Sequence, residues 1–459
     1  MAGGHKFHST VLREYDIRGI VGKTLSTDDA RAVGRAFGTL VAAKGGRRVA
    51  LGFDGRLSSP SLAGAVAEGL MAAGIDVMRI ERGPTPMLYF AVHELDADGG
   101  IQITGSHNPP DYNGFKLMMG KKGFFGADIQ KLGKLAADGA YATGKGASSD
   151  HRVSERYVDR LLKDYGGQSF DAAWDSGNGA AGEIMVALTK RLPGRHVLMY
   201  ETVDGTFPNH HPDPTVAENL TDLIATVRRE KLDLGIGFDG DGDRIGVVDG
   251  QGRIIWADQI MMVLAADVLR ERPGATIIAD VKSSQALFEE IGRAGGKPLM
   301  WKTGHSLIKD KMAELKSPFA GEMSGHIFLA DRWYGFDDAL YVAIRLLTAV
   351  AHSGKSLAQI RDSLPQMVNT PELRFPCAEE RKFAVVAEIA KRLKAAGADL
   401  IDIDGARVNT PDGWWLLRAS NTQDVLVARC ESTSEAGLGR LKSALLDELD
   451  RSGVAAPKI

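Results

Sequence analysis

The sequence predicts an α/β protein with three related α/β domains in series and a smaller C-terminal α+β domain. The first observation is a repeated pattern of an apolar strand, an aspartate with small or polar neighbours, a helix and a second apolar strand. It occurs at residues 49–80, 171–200 and 276–301, with Asp54, Asp175 and Asp280 in similar places. Strand–helix–strand units in series are typical of parallel sheets. The second observation is a change of character beyond residue 373, where a helix, several strands and a final helix follow.

Domain boundaries are predicted from local composition. A helical pattern in "HRVSERYVDRLLKDY" opens the second domain near residue 151, and a hairpin pattern in "GVVDGQGRIIWADQ" closes it near residue 253. The proline-rich stretch "LPQMVNTPELRFPC" is interpreted as a linker at residues 365–373, and residues 399–410 as one strand. The predicted domains cover residues 1–150, 151–253, 254–367 and 368–459.

Composition narrows the class of protein. The 459 residues carry a net charge of −3 with both signs mixed, which argues against nucleic-acid binding by bulk phosphate attraction. The two cysteines, Cys377 and Cys430, are far apart in no metal-binding spacing, which indicates ordinary thiols in a reducing compartment. There is no apolar run typical of a secretory signal, nor one of about 18 residues that predicts a membrane span. We therefore expect a cytoplasmic protein without a membrane partner.

The acidic loop "GFDGDGDR" follows an apolar run and carries Asp239, Asp241 and Asp243 between glycines. Three carboxylates so close together repel one another unless a cation lies among them, and oxygen ligands without His or Cys favour Mg²⁺. An EF-hand loop is a weaker interpretation, because Arg244 replaces its glycine and Gly250 replaces its bidentate glutamate. A solvated acidic turn is disfavoured by the apolar strands predicted on both sides.

Ser106 and His107 lie side by side in "TGSHNPPDYNGFK". From this stretch alone, the serine is a nucleophile, a phosphate carrier or only the hydroxyl of a turn. A magnesium ion on three aspartates keeps a coordination position for a phosphate oxygen, which Ser106 would supply if phosphorylated. Arg244, beside the acidic loop, would hold a further phosphate oxygen.

A second candidate phosphate site lies in the last domain, in "RASNTQDVLVAR". A guanidinium, hydroxyls and an amide within a few positions suit a free phosphate group. The alternative is a hairpin whose Ser-Asn-Thr segment only shapes the turn. The candidate residues are Arg418, Ser420, Asn421, Thr422 and Arg429.

The stretch "GEMSGH" places Glu322, Ser324 and His326 at alternate positions, which face one side if the stretch is extended. A glutamate accepts hydrogen bonds from the neighbouring hydroxyls of a sugar, and a histidine moves protons or binds polar groups. The alternative for His326 is a structural role. Each of four further polar residues, taken separately, indicates ordinary surface or turn chemistry: Tyr15, Arg18, Lys282 and His305.

These motifs together resemble the α-D-phosphohexomutase superfamily, and most closely the bacterial phosphomannomutase/phosphoglucomutase enzymes. The resemblance extends over essentially the whole chain. It includes "REYDIRG", "GFDGRLSSP", "TGSHNPPDYNGFK", "GFDGDGDR", "DVK", "WKTGHS", "GEMSGH" and "RASNT" in the family's order. It implies the predicted three α/β domains and α+β domain, arranged around a central cleft.

The resemblance implies that Ser106 carries a phosphoryl group and binds Mg²⁺ together with Asp239, Asp241 and Asp243. The enzyme would pass this group to a hexose phosphate of mannose or glucose through a hexose 1,6-bisphosphate, and so interconvert 1- and 6-phosphates. The residues expected to act at the reacting group are Arg18, His107, Lys116, Arg244 and His326, the last as general base. The residues expected to bind substrate are Tyr15, Lys282, His305, Glu322, Ser324, His326, Arg418, Ser420, Asn421, Thr422 and Arg429.

One departure concerns the last-domain loop, where the family often has proline two residues after the threonine and this chain has Gln423 and Asp424. We expect Asp424 to point outward, because an inward carboxylate would weaken phosphate binding. Met323 favours the dual mannose/glucose group. Expected partners are small sugar phosphates, with the chain a monomer or weak dimer. Two alternatives remain: a phosphatase or phosphotransferase that uses the same serine, and a non-catalytic sugar-phosphate sensor.

Overall fold

The structure, a computed structural model, describes residues 3–421 and 424–455. Within these residues four sheets follow one another along the chain. The first three contain the parallel strand–helix–strand units predicted from the repeat, and the fourth is antiparallel. The predicted fold class is therefore confirmed. None of the helices in the described residues is long and apolar enough to cross a membrane.

The sheet of the first domain has more strands than the other three sheets of the described residues. Its strands are β1 (Ile17–Ile20), β2 (Arg48–Phe53), β3 (Asp76–Ile80), β4 (Gly99–Ile103), β5 (Tyr112–Met119), β6 (Lys122–Phe124) and β7 (Ser148–His151). Its helices are α1 (Thr27–Ala43), α2 (Ser59–Ala72), α3 (Thr85–Glu94) and α4 (Ala127–Asp138). The order is β1-β5-β4-β2-β3-β7, with β6 beside β5. Because β4 and β5 are antiparallel neighbours, the loop between them turns back at the sheet's edge and presents Ser106 there.

The second domain holds the acidic loop between two buried strands. Its strands are β8 (Ala172–Asp175), β9 (His196–Met199), β10 (Leu234–Phe238), β11 (Ile245–Asp249) and β12 (Ile254–Ile255), in the order β12-β11-β10-β8-β9. Its helices are α5 (Ser154–Leu162), α6 (Gly182–Thr189) and α7 (Thr221–Glu230). A short 3-10 helix, Ala217–Leu220, precedes α7. Every residue of β10 and β11 is buried, as their continuous apolar sequences predict.

The third domain follows the same plan. Its strands are β13 (Thr276–Asp280), β14 (Lys297–Trp301), β15 (Phe319–Gly321) and β16 (Ile327–Leu329), in the order β14-β13-β15-β16. Its helices are α8 (Ala257–Glu271), α9 (Gln285–Arg293), α10 (His305–Leu315), α11 (Ala339–Ser353) and α12 (Leu357–Ser363). The condition that the "GEMSGH" stretch be extended is not met. Gly325, with φ of +86°, lets residues 322–326 form the tight turn between β15 and β16.

Within the described residues, the fourth domain consists of a small antiparallel sheet and two helices. Its strands are β17 (Val368–Asn369), β18 (Leu373–Pro376), β19 (Asp399–Ile401), β20 (Ala406–Thr410), β21 (Gly413–Ala419) and β22 (Val425–Ser432). Its helices are α13 (Glu379–Ala395) and α14 (Glu435–Arg451). The predicted linker at 365–373 contains β17 and the start of β18, both paired with β22. The single strand predicted over 399–410 is a hairpin, because Gly405 at φ of +102° breaks it.

The cores show how the domains are joined. One buried apolar cluster runs from Phe90 on α3 through Trp174 on β8 to Leu340 on α11, so it unites the first three domains. The last domain has a separate core, which includes Trp415 and Leu445. A small buried cluster of Val281, Trp414 and Leu416 joins the last domain to the third.

Candidate active site

Ser106 lies in the loop between β4 and β5 and is 2% exposed. Its φ of +50° is a left-handed conformation that costs free energy for a residue with a side chain. Its backbone N–H donates to Thr104 Oγ1 at 2.8 Å, which holds the turn. Its Oγ donates to Asp239 Oδ2 at 2.9 Å and lies 3.2 Å from His107 Nδ1. The strained loop therefore aims the hydroxyl at the second domain.

Arg56 braces this loop from beneath, with a side chain that is fully buried. Its Nη2 donates to the carbonyl oxygens of Ser106 at 2.7 Å and Asn108 at 2.6 Å. Its Nη1 donates to those of Pro109 at 2.5 Å and Tyr112 at 3.0 Å. A planar guanidinium reaches four carbonyl groups at once, so it fixes the backbone on which the serine sits.

The acidic loop lies between the antiparallel strands β10 and β11, and Asp239, Asp241 and Asp243 are all fully buried. One carboxylate oxygen of each lies within 4.8 Å of the others. Within the described residues, Oδ1 of Asp241 and of Asp243 has no hydrogen-bond partner. Burial without partners is costly for an anion, so these residues could hold a metal ion. A loop between buried strands is neither an EF-hand nor a solvated turn.

Lys116 on β5 supplies positive charge to this cluster. Its Nζ donates to Asp241 Oδ2 at 2.8 Å and also to Asp243 Oδ2. Burial acts to lower the pKa of Lys116, but the two carboxylates outweigh it and hold this pKa well above its usual value. Burial and the two neighbouring carboxylates raise the pKa of Asp239. Burial acts to raise the pKa of Asp241 as well, but Lys116 outweighs it and lowers that pKa.

A cavity of about 940 Å³ opens in front of Ser106 and is lined by residues of all four domains. It corresponds to the central cleft that the family resemblance implies. The described candidate residues that line it are Tyr15, Arg18, Ser106, His107, Lys116, Arg244, Lys282, His305, Glu322, Ser324, His326, Arg418, Ser420, Asn421 and Arg429. The three aspartates lie behind Ser106, and Thr422 lies outside the described residues.

Two arginines that line the cavity with Ser106 come from different domains. Arg18 on β1 donates to Asn108 in the Ser106 loop and pairs with Asp16. Arg244 follows the acidic loop, and its Nε donates to His326 Nε2 at 3.0 Å. Burial, with Arg244 and Arg18 nearby, holds the pKa of His107 well below its usual value. A neutral His107 therefore faces the serine hydroxyl at neutral pH.

The "GEMSGH" turn forms one wall of the cavity. Glu322 Oε1 accepts the backbone N–H of Gly304 at 2.6 Å, and burial raises the pKa of Glu322. The His326 ring stacks on His305, with centroids 5.2 Å apart. Burial and the nearby Lys309 ammonium hold the pKa of His305 well below its usual value. The wall therefore combines a buried carboxyl group with uncharged imidazole at His305.

The far end of the cavity belongs to the last domain. Arg418 Nε donates to Asp404 Oδ2 at 3.1 Å, and Asn421 Nδ2 donates to Tyr15 Oη at 2.6 Å. Tyr15 in turn donates to the carbonyl oxygen of Thr303 at 2.9 Å, so one hydroxyl links the first, third and last domains. Asp424 is exposed and is not among the residues that line the cavity.

Two candidate substrate residues also join the third and last domains. Arg429 Nη1 donates to the carbonyl oxygen of Lys282 at 2.7 Å, and its Nη2 donates to Asp258 Oδ2 at 3.3 Å. Lys282 Nζ donates to Glu372 Oε2 at 3.0 Å. In this arrangement both cations have protein partners, and they hold the last domain against the third.

Sequence reasoning missed several supporting residues. Arg56 lies two residues after Asp54 in "GFDGRLSSP", a motif that supports the family resemblance but gives no local sign of a role for this arginine. Thr85, whose hydroxyl donates to Asp241, begins α3 with no local signal of its role. Asp337, with Oδ2 2.9 Å from His326 Nδ1, lies just before α11 in a pattern indistinguishable from an ordinary helix start.

The fold and this geometry define a class of α/β proteins in which a serine on one domain faces a buried acidic loop on the next. The four domains that define one protein family match consecutive parts of the chain. The phosphoglucomutase/phosphomannomutase α/β/α domains I, II and III match residues 9–138, 155–252 and 256–368, and the C-terminal domain matches residues 372–448. The chain belongs to the phosphoglucomutase/phosphomannomutase family.

Similar proteins match over nearly their whole lengths. A phosphomannomutase/phosphoglucomutase of Pseudomonas aeruginosa is 42% identical over 442 residues, which are 96% of each chain. A phosphoglucomutase of Neisseria gonorrhoeae is 44% identical, covering 94% of this chain and 95% of its own. The crystal structure of a phosphoglucomutase/phosphomannomutase family protein from Burkholderia thailandensis is 44% identical, with a TM-score of 0.91 over 98% of this chain and 99% of its own.

Proposed function

We propose that this protein is a phosphohexomutase that interconverts the 1- and 6-phosphates of glucose and mannose. The observation that carries the proposal is the 2.9 Å hydrogen bond from Ser106 Oγ to Asp239, at the edge of a cavity of about 940 Å³ lined by all four domains. Relatives named for these activities match the chain over 94–96% of its length. The working form carries a phosphoryl group on Ser106.

Mg²⁺ is the proposed metal, held by Asp239, Asp241, Asp243 and an oxygen of phosphorylated Ser106. The donor set supports this choice, because it offers only hard oxygen ligands, two of them without another partner among the described residues. When bound, the ion would neutralise charge on the group being transferred. Lys116 already balances part of the acidic charge through its contacts with Asp241 and Asp243.

Transfer exchanges one phosphorus–oxygen bond for another. The bond from phosphorus to Ser106 Oγ breaks, a bond from phosphorus to a sugar hydroxyl oxygen forms, and the hydroxyl's proton leaves the sugar while a proton reaches Ser106. The product of this step is a hexose 1,6-bisphosphate. Arg18, Lys116, His107 and His326 are the predicted proton-handling and charge-stabilising groups. The sugar then turns around, and the reverse transfer from the other ester restores phosphorylated Ser106.

The last domain supports a mutase over a simple phosphotransferase. A mutase must hold one phosphate while the other reacts, and then hold the sugar the other way round. Arg418, Ser420, Asn421 and Arg429 line the part of the cavity that belongs to the last domain and form the proposed phosphate grip. The resemblance adds Thr422, which lies outside the described residues. Asp404 holds Arg418 through Nε and Nη2, which fixes the guanidinium plane and leaves Nη1 for a charge-assisted contact to phosphate.

The sugar ring is proposed to lie against the third domain. Glu322 and Ser324 would accept and donate hydrogen bonds to its hydroxyls, with Tyr15, Lys282 and His305 around them. The structure's turn at residues 322–326 brings both side chains to the cavity wall. A non-catalytic sensor would need the phosphate grip of the last domain, but it would not need a serine hydrogen-bonded to a buried acidic loop. The contact between Ser106 and Asp239 therefore favours an enzyme. The proposed location is the cytoplasm, and the proposed state is a monomer or weak dimer.

A coupled assay tests the proposal. Glucose 1-phosphate or mannose 1-phosphate is supplied with Mg²⁺ and a trace of the hexose 1,6-bisphosphate, and formation of the 6-phosphate is followed. We expect turnover of both sugars and a lag that the bisphosphate shortens. Release of inorganic phosphate without 6-phosphate would instead establish a phosphatase. Tight binding of the sugar phosphates without any product would establish a sensor.

A further inference from the structure

We propose that Asp337 is a positioning residue that acts through His326 to aim Arg244 at the phosphoryl group on Ser106. The inference rests on the proposed function only for the identity of this target. The chain of contacts itself runs from Asp337 Oδ2 to His326 Nδ1 at 2.9 Å, and from His326 Nε2 to Arg244 Nε at 3.0 Å. Asp337 is fully buried and lies outside the cavity lining, so it does not touch substrate.

The tautomer of His326 follows from Arg244. A guanidinium keeps its Nε proton in proteins, so Nε is always a donor and the ring nitrogen that faces it must be an acceptor. His326 Nε2 therefore carries no proton, and a neutral ring has its proton on Nδ1, towards Asp337. The Nδ1 contact is short but poorly aligned, and neither atom has a better hydrogen bond within the described residues. Charge attraction from Asp337 favours this tautomer, and Asp243 Oδ1, 3.6 Å from Nδ1, adds to it from a greater distance.

The opposite tautomer would turn the contact with Arg244 into a clash of two donors. Arg244 would then lose its only side-chain anchor recorded in the described residues. With Nε anchored, the two terminal nitrogens of Arg244 have no hydrogen-bond partner in that part of the chain and the residue lines the cavity beside Ser106. A guanidinium held at Nε presents its two terminal nitrogens, Nη1 and Nη2, as a fork. This fork matches two oxygens of a phosphoryl group. The lone pair of His326 Nε2 is then used for positioning, so in this arrangement proton handling falls to the other predicted groups, Arg18, Lys116 and His107.

Asp337 is itself held in place. Lys309 Nζ donates to Asp337 Oδ1 at 2.9 Å, so the buried carboxylate has a cation on the side away from His326. Asp243, His326 and Asp337 also lie close enough to hold a metal ion together. The ammonium of Lys309 already supplies a positive charge at Asp337, which favours the positioning role.

The first test reads the tautomer directly. ¹⁵N NMR of the His326 ring in the full-length protein, assigned with the His326→Gln variant, is expected to show Nδ1 protonated and Nε2 unprotonated. In Asp337→Asn the amide can present its NH₂ to Nδ1, and we expect the ring to shift towards the Nε2-protonated form. Asp338→Asn is the matched control, because Asp338 is a neighbouring buried aspartate that caps α11 by accepting Tyr341 N–H at 2.9 Å. We expect it to leave the tautomer unchanged.

The second test is a double-mutant cycle on phosphoryl transfer. Asp337→Asn is expected to lower kcat roughly 10- to 100-fold with little change in KM. In an Arg244→Lys background the same change should have little further effect, because its target has gone. Additive losses in the two variants, or an Nε2-protonated ring in the unaltered protein, would overturn the inference. Failure of the mutase assay would reject the proposed function but leave the NMR result standing, so the two failures are distinguishable.

Discussion

Ser106 Oγ and Asp239 Oδ2 are joined by a 2.9 Å hydrogen bond that crosses from the first domain to the second. This single contact places the hydroxyl of a strained loop against a buried acidic cluster. A neutral hydroxyl needs only one acceptor there, whereas two further carboxylate oxygens in the cluster have no partner among the described residues. These unpaired carboxylate oxygens indicate a site that can bind a cation in addition to the positive charge that Lys116 supplies.

Ser106→Ala tests the covalent role of the serine. The variant should fold normally and lose turnover by about 10³-fold or more, because it has no oxygen to carry the phosphoryl group. The coupled assay measures turnover, and the intact mass shows whether a phosphoryl group is bound. Ser61→Ala, an exposed serine of α2, is the control and should retain both. Full activity in Ser106→Ala would refute the phosphoserine.

The elements that the sequence predicted well are those with strong local signals. The three strand–helix–strand units have clear apolar periodicity, and β10 and β11 are continuous apolar runs around alternating aspartates. The described candidate residues for substrate contact line one cavity, because loop motifs at strand ends meet when the sheets pack around a cleft.

Other features depend on contacts between distant segments, which leave no local signal. Arg56 reaches a loop about 50 residues away, and Asp337 meets His326 only because β16 and α11 fold back on each other. The alternating polar residues of "GEMSGH" fit both an extended strand and a tight hairpin, and the sequence alone does not show that Gly325 takes a positive φ and forms the hairpin. The strands within the predicted linker form only because β22 offers them an edge.

Arg56→Lys tests the brace under the Ser106 loop. A lysine keeps the charge but cannot reach four carbonyl groups in one plane, so some of the buried carbonyl oxygens lose their donor. We expect a loss of about 3 kcal/mol in the free energy of unfolding and lower kcat. Urea unfolding and the coupled assay measure these. Arg79→Lys, an exposed arginine paired with Asp150, should change neither. Unchanged kcat in Arg56→Lys would mean that the loop holds its own shape.

The ion pair between Lys282 and Glu372 predicts an acid-sensitive junction between the third and last domains. Lys282 is the main cause that lowers the pKa of Glu372 from 4.5 to about 2. Because the folded state binds the proton less readily than the unfolded state, this stabilisation is complete above pH 4.5 and is lost as pH falls towards about 2. Urea unfolding across this range should show the loss.

Glu372→Gln supplies the control for this pH dependence. The variant should be less stable than the unaltered protein above pH 4.5, and the difference should shrink as pH falls towards about 2. Limited proteolysis of residues 364–367, before β17, would report whether the last domain separates at the same time. A stability difference that stays constant with pH would show that the carboxylate contributes no charge interaction at this junction.

Asp241→Asn tests the acidic loop as a metal site. The substitution keeps the size of the side chain but removes a negative charge whose Oδ1 has no partner among the described residues. Calorimetric titration with Mg²⁺ should show affinity reduced about 10-fold or more, since a neutral amide is a weaker ligand for a hard cation than a carboxylate. Lys116 would lose one of its two carboxylate partners, so the variant should also be less stable at neutral pH. Asp222→Asn, an exposed aspartate on α7, is the matched control and should leave both quantities unchanged. Equal Mg²⁺ affinity in the two variants would mean that the buried carboxylates serve Lys116 rather than a metal.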